Sequence, residues 1–120
     1  MDDQPIQPID AGLLMDMAEL LRAIAHPLRI SIIELLKDKK QLTVSQIQRE
    51  LGTEQAVASH HLIILKNKDI LNSKRYGKTI LYSLRNENIS HLIYFARKTM
   101  SEELDANQST ETSRFGIKLG

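Results

Sequence analysis

The chain has 120 residues, 42% of them hydrophobic, and its formal net charge is +1. This length suits one domain with a modest core and leaves terminal segments over. Because the chain has no cysteine, disulfide bonds, thiolate metal sites and cysteine redox sensing are excluded. It shows neither a signal-peptide pattern nor an apolar run of membrane-spanning length, so we expect a cytoplasmic protein without a membrane partner.

The first quarter of the chain predicts a loose arm followed by a helix. Residues 1–9 are polar and contain two prolines, which favours a flexible arm. Asp10 suits the N-cap of a helix over residues 11–25. The broad apolar face of this helix consists of Leu13, Leu14, Met17, Leu20, Leu21 and Ile24. The face either completes the core of one subunit or meets a second subunit, and the sequence leaves both readings open.

A second helix is predicted over residues 28–37. Pro27 disfavours a helical conformation at His26 but suits the first turn of a new helix. The inward positions expected for this helix are Leu28, Ile32, Leu35 and Leu36. His26 has no second histidine at ligand spacing, so we expect it to cap the helix or lie at the surface.

Residues 42–71 predict a compact helix-turn-helix followed by the start of a hairpin. Thr43 and Gln46 have the spacing of a capping box, in which each side chain accepts a hydrogen bond from the backbone of the other residue. Val44, Ile47 and Leu51 then repeat at helical spacing. Gly52 suits the turn that ends this short helix.

The next helix is predicted over residues 54–66 and has two unlike faces. One face carries the bulkier residues Ala58, His61, Leu62 and Leu65. The other carries Ala56, Ser59 and His60, whose small or polar side chains allow close approach to DNA base edges. This pattern favours a recognition helix that lies in a major groove, although an ordinary helical hairpin would show a similar one. His61 is expected to pack inside and His60 to face DNA.

Two strands, over residues 70–74 and 79–84, are predicted after this helix. Gly77 lets the chain turn within the connection, residues 75–78. The basic residues between His60 and Arg85 are Lys66, Lys68, Lys74, Arg75, Lys78 and Arg85, and the only acidic one is Asp69. A charged hairpin tip is common for solubility alone, but directly after a recognition helix it indicates a wing that lies along the phosphate backbone.

A last helix is expected to start at Asn86 or Asn88 and to run to about Leu104. Its apolar stripe consists of Ile89, Leu92, Ile93, Ala96 and Met100. Either the first helix of the same subunit or the equivalent helix of a partner would cover this stripe. The chain thus divides into an arm (residues 1–9), one domain (residues 10–104) and a polar, disordered tail (residues 105–120).

These elements predict a mainly α (α+β) fold: a winged helix-turn-helix of about five helices with a two-stranded β-hairpin wing, assembled as a homodimer. The motifs in order are Leu21 to Ile30, Leu51-Gly52, Gln55, Ser59 to Leu62, Leu65, Tyr76-Gly77 and Tyr82 to Leu84. In this combination the chain resembles the ArsR/SmtB family of bacterial winged-helix repressors. The resemblance covers about residues 12–104 and implies a homodimer bound to a palindromic operator.

The resemblance also assigns residues to surfaces. The DNA contacts it implies are Gln55, Ala56, Ser59 and His60 in the major groove, Thr43 and Ser45 nearer phosphates, and Lys74, Arg75 and Lys78 in the wing. The dimer interface it implies, between first and last helices, takes Leu14, Met17, Leu21, Ile89, Leu92, Ile93, Ala96 and Met100. Ile63 departs from the pattern, because relatives often have a basic or polar residue there.

Sensing is the larger departure from the family. Relatives that bind metal near the recognition helix use a cysteine pair, which this chain lacks. The interfacial metal site of other relatives would fall on Asn86, Asn88, Thr99 and Glu102, of which only the last is a strong ligand for a transition metal. Neither His91 with Glu102 and Asp105, nor the adjacent His60 and His61, makes a good substitute. We therefore expect no metal and no cofactor, and the sequence identifies no small-molecule effector.

Three classes of function can be compared with these features. A dimeric repressor that binds double-stranded DNA accounts for the recognition helix, the wing and the local basic charge together. A winged-helix module that binds another protein is the alternative, supported by Ile63 and the weak net charge. An enzyme comes last, because no nucleophile, base and orienting acid are suitably arranged and no phosphate-binding loop is present.

Overall fold

The computed structural model describes the backbone of residues 8–106 and the side chains of residues 8–101. Most of the predicted arm and most of the predicted tail therefore lie outside the described residues. Within them the elements are α1 (Ala11–Ile24), α2 (Pro27–Lys39), β1 (Leu42–Thr43), α3 (Val44–Leu51), α4 (Gln55–Asn67), β2 (Leu71–Tyr76), β3 (Thr79–Leu84) and α5 (Asn88–Ala106). The predicted order of helices and wing is confirmed.

Local side-chain caps fix where the first helices start. Asp10 Oδ1 accepts a hydrogen bond from the Leu13 amide at 2.8 Å, as its N-cap role predicts. His26 caps α2 in the same manner, since its Nδ1 accepts from the Leu28 amide at 3.1 Å. Pro27 occupies the first turn of α2, where its missing N–H costs nothing. Of the two roles expected for His26, a cap or a surface residue, the structure shows the cap.

The helix-turn-helix is held by the predicted capping box and glycine. The Gln46 amide donates to Thr43 Oγ1 at 3.1 Å, and the Thr43 amide donates to Gln46 Oε1 at 2.9 Å. Gly52 ends α3 with φ at 66°, in the left-handed region that favours glycine. The chain then needs only two further residues before α4 begins at Gln55.

The wing belongs to a three-stranded antiparallel sheet in the order β1-β3-β2. β2 and β3 run from the pair Leu71 and Leu84 to the pair Tyr76 and Thr79. The hairpin is thus longer than the predicted 70–74 strand implied, and its turn is only Gly77 and Lys78. The third strand, β1, was not predicted, because its two residues are too few to show an alternating pattern.

The core lies around α2, which packs against α3, α4, α5 and β3. The most deeply buried side chains of the core are Ile32, Ile33, Leu36, Ile47, Leu62, Leu65, Ile70 and Leu71. On α2 the structure corrects the predicted inward set, because Ile33 is fully buried whereas Leu28 and Leu35 are only partly buried. α2 has neighbours on several sides, so a single stripe of inward residues describes it poorly.

Candidate nucleic-acid interface

The orientation of α4 is set by one buried side of the helix. Ala58, His61, Leu62 and Leu65 are all buried. At about 100° per residue these positions leave the opposite side of α4 outside the core. Ala56 and His60 are exposed on that side, and Ser59 is half-buried at its edge. Gln55 is exposed as the first residue of the helix, about 70° round from the core direction. Of the four residues assigned to the major groove, Ala56, Ser59 and His60 therefore lie on the outer part of α4, and Gln55 lies at its N-terminus.

A small cluster of polar side chains joins α4 to α2 and α1. Arg29 Nε donates to His61 Nδ1 at 3.2 Å, and Arg29 Nη1 donates to the Ala23 carbonyl at 3.0 Å. The His26 ring stacks at a tilt on His61, with 4.3 Å between ring centroids. Burial lowers the pKa of His61, and its neighbours His26, Arg29 and His60 lower it further, because a proton on His61 would repel theirs. His61 thus packs inside, as expected, and positions the recognition helix.

The wing places its basic residues in solvent. Lys74 and Arg75 lie on β2 and Lys78 lies in the two-residue turn, and all three are exposed. Lys74 Nζ lies 5.3 Å from the centroid of the Tyr76 ring, which supports the charged side chain along the strand. Gly77 takes a φ of 61°, as a two-residue hairpin turn requires at this position.

The basic patch predicted between His60 and Arg85 divides into paired and free cations. Lys68 pairs with Glu19 at 3.1 Å, and Arg85 pairs with Asp69 at 3.2 Å. The hydrogen bond from Lys68 is the main cause that lowers the pKa of Glu19, followed by the one from Arg22. Among side chains of residues 8–101, Lys66 and the three wing cations have no acidic partner within 4.0 Å. These four cations are therefore not neutralised by a described carboxylate.

The two residues expected near phosphates at the start of α3 differ in whether their hydroxyl groups are already bonded within the protein. Ser45 is exposed. The Thr43 hydroxyl already accepts from the Gln46 amide, and Thr43 also pairs with Leu81 across the sheet. Its first role is therefore to start α3, and any phosphate contact must share the hydroxyl with this cap.

The residues assigned to the dimer interface fall into two groups. Leu14, Met17, Leu21 and Leu92 are between 42% and 54% exposed, so they can meet a second subunit. Ile89 and Ile93 are only 8% and 7% exposed, because they pack into the core of their own subunit. Ala96 is exposed and Met100 half-buried. On α5 the freely exposed large side chains also include Tyr94 and Phe95, which the sequence reading missed.

An apolar groove of about 410 Å³ runs between α1, α2 and α5. Its lining includes Leu21, Ile24 and Ile30 on one side and Leu92, Ile93 and Met100 on the other. Leu21 and Leu92 are assigned to the interface and line this groove as well. The groove is therefore continuous with the exposed faces of α1 and α5.

Two of the four positions expected for an interfacial metal site, Asn86 and Thr99, have side chains that bond to the backbone. Asn86 Oδ1 accepts from the Asn88 amide at 2.8 Å and so starts α5, and Thr99 Oγ1 donates to the Phe95 carbonyl at 2.7 Å. The side chains of Glu102 and Asp105 lie outside the described residues. Among the residues described, no three His, Asp or Glu side chains gather closely enough to hold a metal ion.

In the same part of the chain, no helix combines the length and apolarity needed to cross a membrane.

Comparison with known proteins decides the family. The model of the bacterial regulatory protein, arsR family, matches residues 26–73, which include α2, the helix-turn-helix and the start of β2. The transcriptional repressor PagR of Bacillus anthracis is 39% identical over 80 residues, covering 67% of this chain and 80% of PagR. The regulator NmtR of Mycobacterium tuberculosis is 31% identical over 91 residues, covering 76% of this chain and 75% of NmtR. The chain belongs to the ArsR family.

Solved structures of related proteins share the fold. The crystal structure of PagR matches with a TM-score of 0.66 and 36% identity over 72% of this chain and 99% of PagR. The homodimeric winged helix-turn-helix domain of Mb0332 from Mycobacterium bovis matches with a TM-score of 0.72 and 25% identity, over 88% of this chain and 95% of that one. The present ArsR-family chain is therefore a DNA-binding transcriptional regulator and not an enzyme.

Sequence reasoning missed residues of two kinds in this ArsR-family chain. Arg29 was overlooked because its partner His61 lies 32 residues away, a distance that no local pattern covers. Ile63 departs from the family pattern, and a helical projection from Ala58, Leu62 and Leu65 places it on the outer side of α4. The aromatic pair Tyr94 and Phe95 could have been found from its position beside the predicted stripe.

Proposed function

We propose that this chain is a homodimeric repressor that binds a palindromic operator through α4 of each subunit. The observation that carries the proposal is the common exposure of Gln55, Ala56 and His60 on α4 beside a wing whose cations lack acidic partners among the described side chains. Two such helices in successive major grooves would read half-sites about one helical turn apart. Such a regulator acts in the cytoplasm.

The two parts of this surface have different tasks in the proposal. Side chains that reach base edges discriminate between sequences, whereas cations along the backbone supply affinity for any duplex and make it sensitive to salt. We assign Gln55, Ser59 and His60 to the bases. Lys74, Arg75 and Lys78 are assigned to phosphates, because they are exposed in the hairpin turn or on the end of β2 that leads into it.

The dimer in this proposal forms through α1 and α5. Large apolar side chains are exposed on both helices, among them Leu14, Leu21 and Phe95, and water would leave them on association. Support also comes from Mb0332, which is described as homodimeric, and from PagR, which is described as a repressor. A two-fold axis between the subunits would match the symmetry of a palindrome.

A small-molecule effector that shifts the dimer between two arrangements of its helices would complete the regulator. The side chains at Asn86 and Thr99, which are engaged with backbone groups, argue for an effector other than a transition metal.

The proposal is tested by fluorescence anisotropy with the purified dimer. The protein is titrated into labelled DNA from upstream of its own gene and into a scrambled duplex, at two salt concentrations and with and without zinc. We expect tighter binding to the upstream DNA, a steep loss of affinity with salt, and no effect of zinc. Equal affinity for both duplexes would refute the repressor and favour the protein-binding module. Release by zinc would refute the expectation of a regulator that does not sense metal.

A further inference from the structure

Ile63 lies on the outer side of the recognition helix and is 54% exposed. From the buried positions Ala58, His61, Leu62 and Leu65, its side chain falls within about 30° of the direction opposite to the core. Ala56, His60 and Ile63 therefore form one outward stripe with spacings of four and three residues. Ile63 belongs to the same surface as the residues assigned to the bases.

Exposure of one isoleucine is common in proteins and by itself carries no meaning. The position of Ile63 is what matters, because a solvated helix position ordinarily carries a residue such as lysine or glutamate. Most other large exposed apolar side chains of the described residues lie on α1 and α5, where a second subunit would cover them. Ile63 lies on α4, within the proposed DNA-binding surface. Bound DNA, and not a second subunit, would therefore cover its side chain.

The length of α4 brings Ile63 into the same groove as the start of the helix. Gln55 and Ile63 are eight residues apart, which corresponds to about 12 Å along the helix axis, close to the width of a major groove. The basic side chain of Lys66 is exposed one turn further on and can meet the phosphates at the groove edge. An isoleucine between polar residues and a cation can thus lie against bases when the helix is bound.

We propose that Ile63 reads thymine, by packing its side chain against the C5-methyl group of a thymine in each half-site of the operator. An aliphatic side chain neither donates nor accepts a hydrogen bond, so it recognises an apolar group. Among the four bases, thymine alone presents one in the major groove. The inference rests on the proposed function and adds a specificity-determining residue to it.

The first test is selection of binding sites from a randomised duplex library by the wild-type protein, Ile63→Ala and Val57→Ala. Val57 is the matched control, since it is a β-branched residue of the same helix, 38% exposed, about 120° round the helix from Ile63. We expect the wild type and Val57→Ala to enrich one consensus, and Ile63→Ala to lose the preference for thymine at one position in each half-site. Preferences at the other positions should remain.

The second test removes the methyl group from the DNA. In the selected operator the critical thymine is replaced by deoxyuridine, and anisotropy titrations are repeated with all three proteins. Wild type and Val57→Ala should bind about fourfold more weakly for each methyl group removed. Ile63→Ala should bind the thymine and deoxyuridine operators equally, because the partner of the methyl group is already absent.

Each contrary outcome has a separate meaning. If the wild type enriches no consensus, the proposed function fails and this inference fails with it. If it enriches a consensus that Ile63→Ala also enriches, or if the losses from Ile63→Ala and deoxyuridine are simply additive, the inference alone is overturned. Ile63→Ala should unfold at the same denaturant concentration as wild type or a higher one, since the position is exposed and alanine favours helix.

Discussion

Arg29 and His61 join the second helix to the recognition helix through a hydrogen bond of 3.2 Å from Arg29 Nε to His61 Nδ1. A histidine nitrogen that accepts a hydrogen bond carries no proton, so His61 is neutral and its proton is on Nε2. The same guanidinium donates to the Ala23 carbonyl at 3.0 Å, at the end of α1. One arginine therefore fixes three helices relative to one another, provided that His61 remains neutral.

Folding stability should consequently fall in mild acid. Burial lowers the pKa of His61 below its ordinary value of 6.5, and electrostatic repulsion from the neighbouring His26, Arg29 and His60 lowers it further. Between that ordinary value and the lowered one, the unfolded chain binds a proton that the folded chain does not. The free energy of unfolding therefore decreases as the pH falls below about 6.5, until the folded pKa is passed. Urea unfolding at intervals between about pH 7.5 and pH 5.5 measures this decrease.

The variant His61→Gln isolates the contribution of this one group. Glutamine does not titrate, and its side-chain oxygen can still accept from Arg29. We expect the decrease in stability over this pH range to become smaller in His61→Gln and to persist in His60→Ala, because His60 is exposed. The same decrease in His61→Gln as in the wild type would show that another group is responsible.

Thr43→Ala should act on folding more than on DNA binding. The substitution removes the acceptor for the Gln46 amide and leaves the start of α3 without its cap. We expect a loss of about 0.5–2 kcal/mol in the free energy of unfolding, measured by urea denaturation. Thr43→Ser keeps a hydroxyl at the cap and should restore most of it. Weaker DNA binding without lower stability would instead make the phosphate contact the main role of Thr43.

Arg75→Ala should weaken binding to every DNA sequence. Arg75 is exposed on the wing without an acidic partner among the described side chains, so the variant should lose one phosphate contact. The slope of log affinity against log salt should fall by about one. Arg85→Ala is the matched control, because Arg85 is paired with Asp69 at 3.2 Å and should change the slope less.

Substitutions in the recognition helix should behave differently from Arg75→Ala. Ser59→Ala and His60→Ala are expected to change the preference among operators and to leave affinity for random DNA nearly unchanged. Anisotropy titrations of specific and random duplexes at two salt concentrations separate the two effects. Equal losses on both duplexes for all of these variants would contradict the assignment of bases and phosphates to different elements.

Substitutions on the two faces of α5 should change different properties: dimerisation on one face and folding stability on the other. Phe95 is 59% exposed, so Phe95→Glu should separate the subunits while helix content is retained. Ile93 is 7% exposed within its own subunit, so Ile93→Ala should cost about 2–5 kcal/mol in the free energy of unfolding. Sedimentation equilibrium reports the first change and urea unfolding the second. A Phe95→Glu protein that remains dimeric would place the interface elsewhere.

Much of the fold could be predicted because the signals that define its elements are local. Thr43 and Gln46 bond to each other across three residues, and the cap at His26 spans two. Such contacts lie within one turn of chain, so the residue types and their spacing are sufficient to place a helix start. Helical periodicity predicted the buried face of α4 in the same way. The opposite face of that helix then gave the candidate DNA surface.

The rest depended on contacts between residues far apart in the chain. The Lys68 ammonium is neutralised by Glu19, 49 residues away, and this pairing decided which cations of the basic patch are free. β1 exists only because Leu42 and Thr43 pair with Tyr82 and Leu81.

The sequence by itself determined the order of helices and wing, the caps and the outward residues of the recognition helix, since these depend on the repeat of the chain over a few residues. The tertiary structure alone decided that Ile93 faces its own core while Phe95 faces outward. An apolar stripe states only that a helix face must be covered, and which neighbour covers it depends on how the helices pack.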